Sequence, residues 1–189
     1  MWGTALDLCA PMTPVSSAVD ISDDAVLVRA ARDGNRAAFG RLYDRYSRMV
    51  HGILLARAPR AEVDDLVQDV FLSALRQLRT LRDVAAFGGW LARIARNRAH
   101  DYYRRSRESV ELPDDLAGPD PPNPEALAAL EAIRSLPAAY REPLILRLVE
   151  GMTGDEIAAR TGLTSASVRV NLHRGMKQLR EKLGMENRS

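Results

Sequence analysis

Apolar residues recur with helical spacing along almost the whole of this 189-residue chain, and no stretch alternates as a half-buried strand would. In residues 61–78 (AEVDDLVQDVFLSALRQL), for example, the apolar side chains are three or four residues apart and form one continuous helical face. Hydrophobic residues make up 46% of the chain, which is enough to fill real cores. The sequence therefore predicts an all-α protein.

One segment interrupts the helical pattern. Residues 108–124 (ESVELPDDLAGPDPPNP) are rich in proline and aspartate and cannot continue a helix. From Glu108 to Glu125 the sequence carries six acidic residues and no basic one, whereas the segments on both sides have an excess of Lys and Arg. We predict two small helical domains, residues 23–107 and 125–185, joined by an extended acidic linker over 108–124. Residues 1–22 are expected to form a disordered tail, and either Met1 or Met12 fits as the start.

Several classes of protein are disfavoured by what the sequence lacks. The single cysteine, Cys9, rules out an internal disulfide framework and fits a reducing cytoplasm. No apolar run approaches membrane-spanning length, and no secretion signal is recognisable. The three histidines are scattered, so they and Cys9 show no metal-ligand spacing. We expect a cytoplasmic protein without membrane contact, metal, cofactor or catalytic site.

The segment 152–183 has the local signals of a helix-turn-helix. Thr153 and Glu156 have the spacing of a capping box at the start of a short helix. Gly162 lies where a tight turn needs a positive φ, and Thr164 or Ser165 can cap a longer second helix. This arrangement predicts that the second helix enters the major groove of DNA.

The second helix has a basic outer face. On a helical wheel its outward residues are Arg169, Val170, His173, Arg174, Lys177 and Arg180. Side chains near the start of such a helix reach base edges, and later ones reach phosphates. Arginine suits guanine, and an outward valine can contact a thymine methyl group.

A second basic face lies on the helix predicted around residues 90–105 (WLARIARNRAHDYYRR). Its polar residues fall within an arc of about 120° and are Arg93, Arg96, Asn97, His100, Tyr103, Arg104 and Arg107. Apolar residues such as Leu91 and Ala95 occupy the other side and can pack into a core. The basic face is suited to a polyanion, the alternative being simple solvation.

Three segments, in this order, resemble parts of the bacterial sigma-70 family. Residues 61–75 (AEVDDLVQDVFLSAL) resemble the segment that docks on core RNA polymerase, and residues 87–108 resemble the helix that melts and recognises the −10 element. Residues 136–183 are similar to the −35-binding domain. A single short linker between the two parts matches the extracytoplasmic-function (ECF) group. The resemblance covers residues 23–183.

The resemblance implies residue roles for polymerase docking. The matching positions are Asp65, Leu66, Gln68, Asp69 and Phe71. The acids and the glutamine are expected to face a basic coiled coil on the polymerase, while Leu66 and Phe71 pack inward.

The resemblance also implies how the −10 element is held. Trp90, Arg93, Ile94, Asn97, Asp101 and Tyr102 match the motif that seizes unpaired bases, and the loop 80–89 is expected to accept a flipped base. Together with the basic face, the predicted −10 contacts are Trp90, Arg93, Arg96, Asn97, His100, Tyr103, Arg104 and Arg107. For Trp90 and Tyr102, packing into the core remains the alternative.

For the −35 element, matching positions and the helical wheel together give a second set. The predicted contacts are Ser165, Ser167, Arg169, Val170, Asn171, His173, Arg174 and Lys177. Val170 and Asn171 depart from the residues most frequent in the family. These departures affect which promoter sequence is expected, and they do not affect the expected role of the helix in −35 binding.

The implied partners are core RNA polymerase, double-stranded −35 DNA, single-stranded −10 DNA and an anti-sigma factor. A helix-turn-helix repressor or activator would explain the C-terminal part of the chain but not the docking-like segment. An enzyme acting on DNA would need an acidic cluster, a serine elbow or a phosphate-cradling loop, and none is recognisable.

Overall fold

The computed structural model describes residues 21–108 and 124–184, and it shows eight α-helices and no strand in those ranges. The helices are α1 (Ile21–Arg32), α2 (Arg36–Leu55), α3 (Val63–Gln77), α4 (Phe87–Glu108), α5 (Pro124–Arg134), α6 (Ala138–Leu148), α7 (Gly154–Thr161) and α8 (Ser165–Lys182). The all-α prediction is confirmed. Residues 1–20 of the predicted tail and 109–123 of the predicted linker lie outside the described residues.

Helix α2 is the centre of the N-terminal half, which we define as α1–α4. Asn35 caps α2 by accepting a hydrogen bond from the backbone N–H of Ala38 at 3.1 Å. From there the helical spacing places Leu42, Met49 and Ile53 on one fully buried face. Helices α1, α3 and α4 all pack against α2, and these contacts make the N-terminal half a small helical domain.

The start of the first helix differs from the expectation for this half. Helix α1 begins at Ile21, so Asp23 lies in its first turn. The side chain of Asp24 is buried, and it accepts hydrogen bonds from Tyr46 and Arg45 on α2. These bonds fix the first turn of α1 against α2, and the helix extends two residues into the segment predicted to be a tail.

The C-terminal half, defined as α5–α8, contains the predicted helix-turn-helix. Thr153 and Glu156 form a capping box at the start of α7, Gly162 ends this helix with φ 76°, and Thr164 caps α8. Inside the half, the fully buried residues include Leu136, Leu144, Ile145, Leu146 and Ile157. The caps and the turn are therefore formed as the sequence predicted.

We expect Thr153→Ala to lower the free energy of unfolding by about 1 kcal/mol, the usual value of such a cap. The Thr153 hydroxyl accepts a hydrogen bond from the backbone N–H of Glu156 at 3.2 Å, and the Glu156 carboxylate accepts one from the N–H of Thr153 at 2.8 Å. Urea unfolding followed by circular dichroism measures the change, with Thr153→Ser as the matched control. An unchanged unfolding midpoint would show that the capping box does not contribute to the stability of the chain.

The two halves pack against each other. Helix α6 lies against α2, and α7 lies against α4. Glycines allow the close approach: a Cβ at Gly88 would come within 2.7 Å of the carbonyl oxygen of Arg160, and one at Gly52 within 2.7 Å of Leu146 Cδ2. We call this packing of the two halves the closed arrangement.

Candidate functional site

The basic face of α4 is formed as the wheel predicted. Arg93, Asn97, His100, Tyr103 and Arg104 are all exposed along one side of the helix. Arg96 is half-buried because it pairs with a carboxylate from the C-terminal half, and the side chain of Arg107 lies outside the described residues. The opposite side of α4 packs into the core.

Trp90 is half-buried at the start of this face. Its ring lies 5.9 Å from that of Phe87, which is fully buried, so part of the indole packs on the core. Its remaining surface lines an open cleft together with residues from the segment 80–89, which was expected to be a loop but whose last three residues belong to α4. Ala159 and Gly162 of the C-terminal half line the other side of the same cleft. Core packing and a surface role therefore coexist at Trp90, and the helix-turn-helix covers part of the cleft.

Helix α3 presents a mixed acidic and apolar face. Asp65 and Gln68 are exposed, while Leu66 and Phe71 are buried as the resemblance implied. The side chain of Asp69 forms an ion pair with Arg98 on α4, so its carboxylate already has a partner within the chain.

Sequence reasoning missed the apolar part of the α3 face. The side chains of Leu72 and Leu75 are 50% and 47% exposed, although the helical pattern had placed Leu75 in the buried stripe. Leu72 is seven residues after Asp65 and four after Gln68, so these three side chains share one side of α3. A helical wheel centred on Asp65 instead of on the core residues would have identified Leu72 as part of the exposed face.

Helix α8 displays most of the predicted −35 contacts. Its exposed residues include Ser165, Ser167, Arg169, Val170, His173, Arg174 and Lys177. The Ser167 side chain accepts a hydrogen bond of 2.8 Å from the Thr164 hydroxyl within the cap. Asn171 differs from the others, because it is half-buried in a cleft between the two halves.

A buried carboxylate joins the two halves beside that cleft. The side chain of Glu142 on α6 accepts hydrogen bonds from Arg96 on α4, the shortest at 2.6 Å, and from Arg57 after α2 at 2.9 Å. Burial alone would raise the pKa of Glu142, but the two guanidinium groups outweigh burial and hold this pKa below its ordinary value. Glu142 is therefore charged in the closed arrangement.

A second polar cluster crosses the same interface. His51 Nδ1 on α2 lies 2.6 Å from a carboxylate oxygen of Glu150, and this hydrogen bond raises the pKa of His51. Arg134 donates a hydrogen bond to the carbonyl oxygen of Leu55 at 3.1 Å, and Arg160 donates one to that of Arg45 at 2.9 Å. Polar contacts thus join the halves at several separate points.

Other kinds of site have no counterpart in the described ranges. Across residues 21–108 and 124–184, no three His, Cys, Asp or Glu residues come together as a metal site would require. In the same ranges, no helix combines the length and the apolar character needed to cross a bilayer.

Comparison with known proteins identifies the two halves. Residues 42–109 match sigma-70 region 2, and residues 126–179 match sigma-70 region 4. The RNA polymerase sigma factor CarQ of Myxococcus xanthus is 37% identical over 164 residues, which cover 81% of this chain and 93% of CarQ. The sigma factor CnrH of Cupriavidus metallidurans is 33% identical over 180 residues, covering 82% of this chain and 92% of CnrH.

A solved structure of CnrH in complex with the cytosolic domain of CnrY has the same fold. It matches with a TM-score of 0.61 at 28% identity and covers 87% of this chain and 99% of that chain. The chain belongs to the sigma-70 family of bacterial RNA polymerase sigma factors. Within this family it is a member of the ECF group, and its function is promoter-specific initiation of transcription by RNA polymerase.

Proposed function

We propose that three surfaces of this ECF sigma factor have separate roles. The exposed side of α3 docks on core RNA polymerase, the basic face of α4 holds the melted −10 strand, and α8 binds the −35 element. The observation that carries the proposal is that α4 keeps a row of exposed cationic and aromatic side chains beside the open cleft at Trp90. A solvated helix face would have no need of such a cleft.

The α4 face is suited to a single strand because such a strand presents phosphates on one side and unstacked bases on the other. Arg93 and Arg104 can neutralise phosphates, while Trp90 and Tyr103 offer rings on which bases stack. Each base–aromatic contact stabilises the bound strand by about 1–3 kcal/mol. Opening one base-pair step costs about 1.4 kcal/mol, so binding a few bases can drive melting without hydrolysis.

The α8 face is suited to duplex DNA. Its first exposed turns carry Ser167, Arg169 and Val170, which are the positions that reach base edges in a helix-turn-helix. Arg174 and Lys177 follow on later turns, where side chains meet phosphates. Base contacts give sequence preference, and phosphate contacts give affinity that falls with salt.

We expect Arg169→Ala and Arg174→Ala to have different effects on −35 binding. Arg169→Ala should relax the preference at one base pair, with a loss of about 1–3 kcal/mol for the preferred base. Arg174→Ala should weaken every −35 sequence alike and reduce the salt slope by about one. Binding titrations on a set of single-base-pair variants at several salt concentrations measure both effects. Equal losses that ignore the base sequence would remove Arg169 as a base contact.

The remaining assignments concern domain limits and partners. Region 2 is assigned to residues 23–107 and region 4 to residues 125–185, with the acidic linker 108–124 between them. CnrH was solved with the cytosolic domain of CnrY, which supports an anti-sigma factor as a further partner of this chain. The proposed setting is the cytoplasm, where the chain acts without a cofactor, metal or catalytic site of its own.

A further inference from the structure

Two arginines of the N-terminal half converge on one carboxylate of the C-terminal half. Arg57 lies just after α2 and Arg96 lies on α4, yet both guanidinium groups bond Glu142. Arg57 donates to one carboxylate oxygen at 2.9 Å, and Arg96 donates to both, with the shortest bond at 2.6 Å. The Glu142 residue is only 4% exposed, whereas the side chains of Arg57 and Arg96 remain 31% and 29% exposed. We call the pair of guanidinium groups the anion site.

The anion site depends on the closed arrangement for its carboxylate. Burying an ion pair removes charges from water, and this cost offsets much of the attraction. Arg57 Nε is buried without a hydrogen-bond partner in the described residues, which adds to the cost. The network therefore stabilises the closed arrangement only weakly, and another anion can replace the Glu142 carboxylate at little net cost.

The geometry of the site fits a phosphate. Arginine forks bind carboxylate and phosphate oxygens in the same bidentate manner, and two converging guanidinium groups select for an anion. Arg96 belongs to the α4 face that also displays Arg93, Asn97 and His100, and Arg57, just after α2, lines the same cleft as Arg96.

We infer that Arg57 and Arg96 together bind a backbone phosphate of the melted promoter strand, and that Glu142 occupies this site in its place when the two halves are closed. The inference rests on the proposed function of α4 as the −10 surface, and it adds Arg57 to that surface. Closure and single-stranded DNA then compete for the same two guanidinium groups. By linkage, each must weaken the other by the same factor.

The −35 and −10 elements of a promoter are centred about 25 base pairs apart, which is roughly 85 Å along the DNA at ~3.4 Å per base pair. In the closed arrangement α7 lies directly against α4, so the two DNA-binding surfaces cannot span that distance. The halves must separate for both elements to be bound, and separation withdraws Glu142 from the anion site.

The test uses the full chain and a mixed-sequence 12-nucleotide single-stranded DNA, with binding followed by fluorescence anisotropy at several salt concentrations. Glu142→Gln removes the competing charge, and we expect it to tighten binding about fivefold or more, the lower end of typical coupling between sites. Asp44→Asn is the matched control, because it makes the same charge change at an exposed position on α2. The control should change binding little.

Arg57→Gln distinguishes direct binding of a phosphate by Arg57 from a simple effect of opening the two halves. This variant also breaks the interface, so opening alone would tighten DNA binding. If Arg57 contacts a phosphate, adding Arg57→Gln to the Glu142→Gln variant should instead weaken DNA binding and lower the single-strand salt slope by about 0.7. Tighter or unchanged binding by the double variant, or no gain over Asp44→Asn for Glu142→Gln, would overturn the inference.

Two further measurements keep the test decisive. Arg93→Ala examines the α4 surface alone. If this variant binds the oligonucleotide unchanged, the proposed −10 role fails. If it binds more weakly while Glu142→Gln has no effect, only the inference about the anion site is overturned.

Spin labels at Gly40→Cys and Glu181→Cys, with Cys9→Ser, report the distance between the halves in a chain with an intact anion site. This distance should increase when the oligonucleotide is added, and a constant distance at saturating DNA would contradict the inference.

Discussion

Asp65→Lys should abolish association with core RNA polymerase while the helical content of the free chain stays the same. Asp65 is exposed on α3, on the same side as Gln68 and the exposed Leu72. A lysine there would face the basic partner surface that the docking segment is proposed to meet. Placing like charges together across an interface costs several kcal/mol, so we expect an affinity loss of ~100-fold or more.

Asp64→Lys is the matched control for this prediction. It makes the same charge change one residue away, but about 100° around the helix, where Asp64 lines a groove with His51 and Arg60. Titration of fluorescent sigma variants with core polymerase compares the two directly. Asp69 is a poorer choice, because Asp69→Lys would also break its ion pair with Arg98. An Asp65→Lys variant that binds core polymerase as tightly as the unsubstituted chain would remove this side of α3 as the docking surface.

Gly88→Ala should separate the two halves of the free chain. The added Cβ would come within 2.7 Å of the carbonyl oxygen of Arg160, and a backbone atom of this kind cannot move aside as a flexible side chain can. In the separated state that carbonyl group is absent, and the Tyr46 ring is the remaining close neighbour of the added methyl group. We expect the radius of gyration to rise clearly above that of the unsubstituted chain, because a separated pair of domains is less compact than one body.

Small-angle X-ray scattering measures this change. Gly40→Ala is the control, because a Cβ at Gly40 meets nothing within 4 Å and the residue is likewise within a helix. A Cβ at Gly88 would also come within 3.0 Å of Tyr46 in its own half, so Gly52→Ala provides a second route: its nearest contacts are Leu146 and Glu150 of the other half. Compact scattering from both Gly88→Ala and Gly52→Ala would show that close packing at these glycines does not hold the halves together. An unsubstituted chain that scatters as extended as the two variants would contradict a closed arrangement in solution.

Local signals account for the parts of the fold that the sequence predicted. The capping box at Thr153, the positive φ at Gly162 and the cap at Thr164 each depend on a few neighbouring residues, and all three are present. The same applies to the exposed basic faces of α4 and α8, since the spacing of a helix alone determines which side chains share a side. Helical periodicity also identified the buried face of α3, with Leu75 as an exception.

Contacts between distant segments were beyond sequence reasoning. Glu142 is 85 residues from Arg57 and 46 from Arg96, and Glu150 is 99 from His51. Each of these charges, taken alone, resembles an ordinary solvated side chain. The start of α1 was misplaced for the same reason, because Asp24 pairs with residues on α2 that no local pattern connects to it.

The closed arrangement also changes how the site is understood. Taken from the sequence, Arg96 and Asn171 belong to two DNA-binding surfaces that act independently. In the structure both line one cleft between the halves, together with Glu142. Promoter recognition and the packing of the two halves therefore share residues, and a substitution at either position is expected to affect both.

The measurement that tests the central claim most directly is transcription reconstituted from purified core RNA polymerase, this chain and genomic DNA of the bacterium that carries it, with sequencing of the RNA 5′ ends. We predict new start sites that need both core polymerase and the chain, that share −35 and −10 elements upstream, and that disappear with Asp65→Lys but persist with Asp64→Lys. If the chain instead lowers transcription by a polymerase already supplied with another sigma factor, and creates no start sites with core polymerase alone, its function as a sigma factor is contradicted.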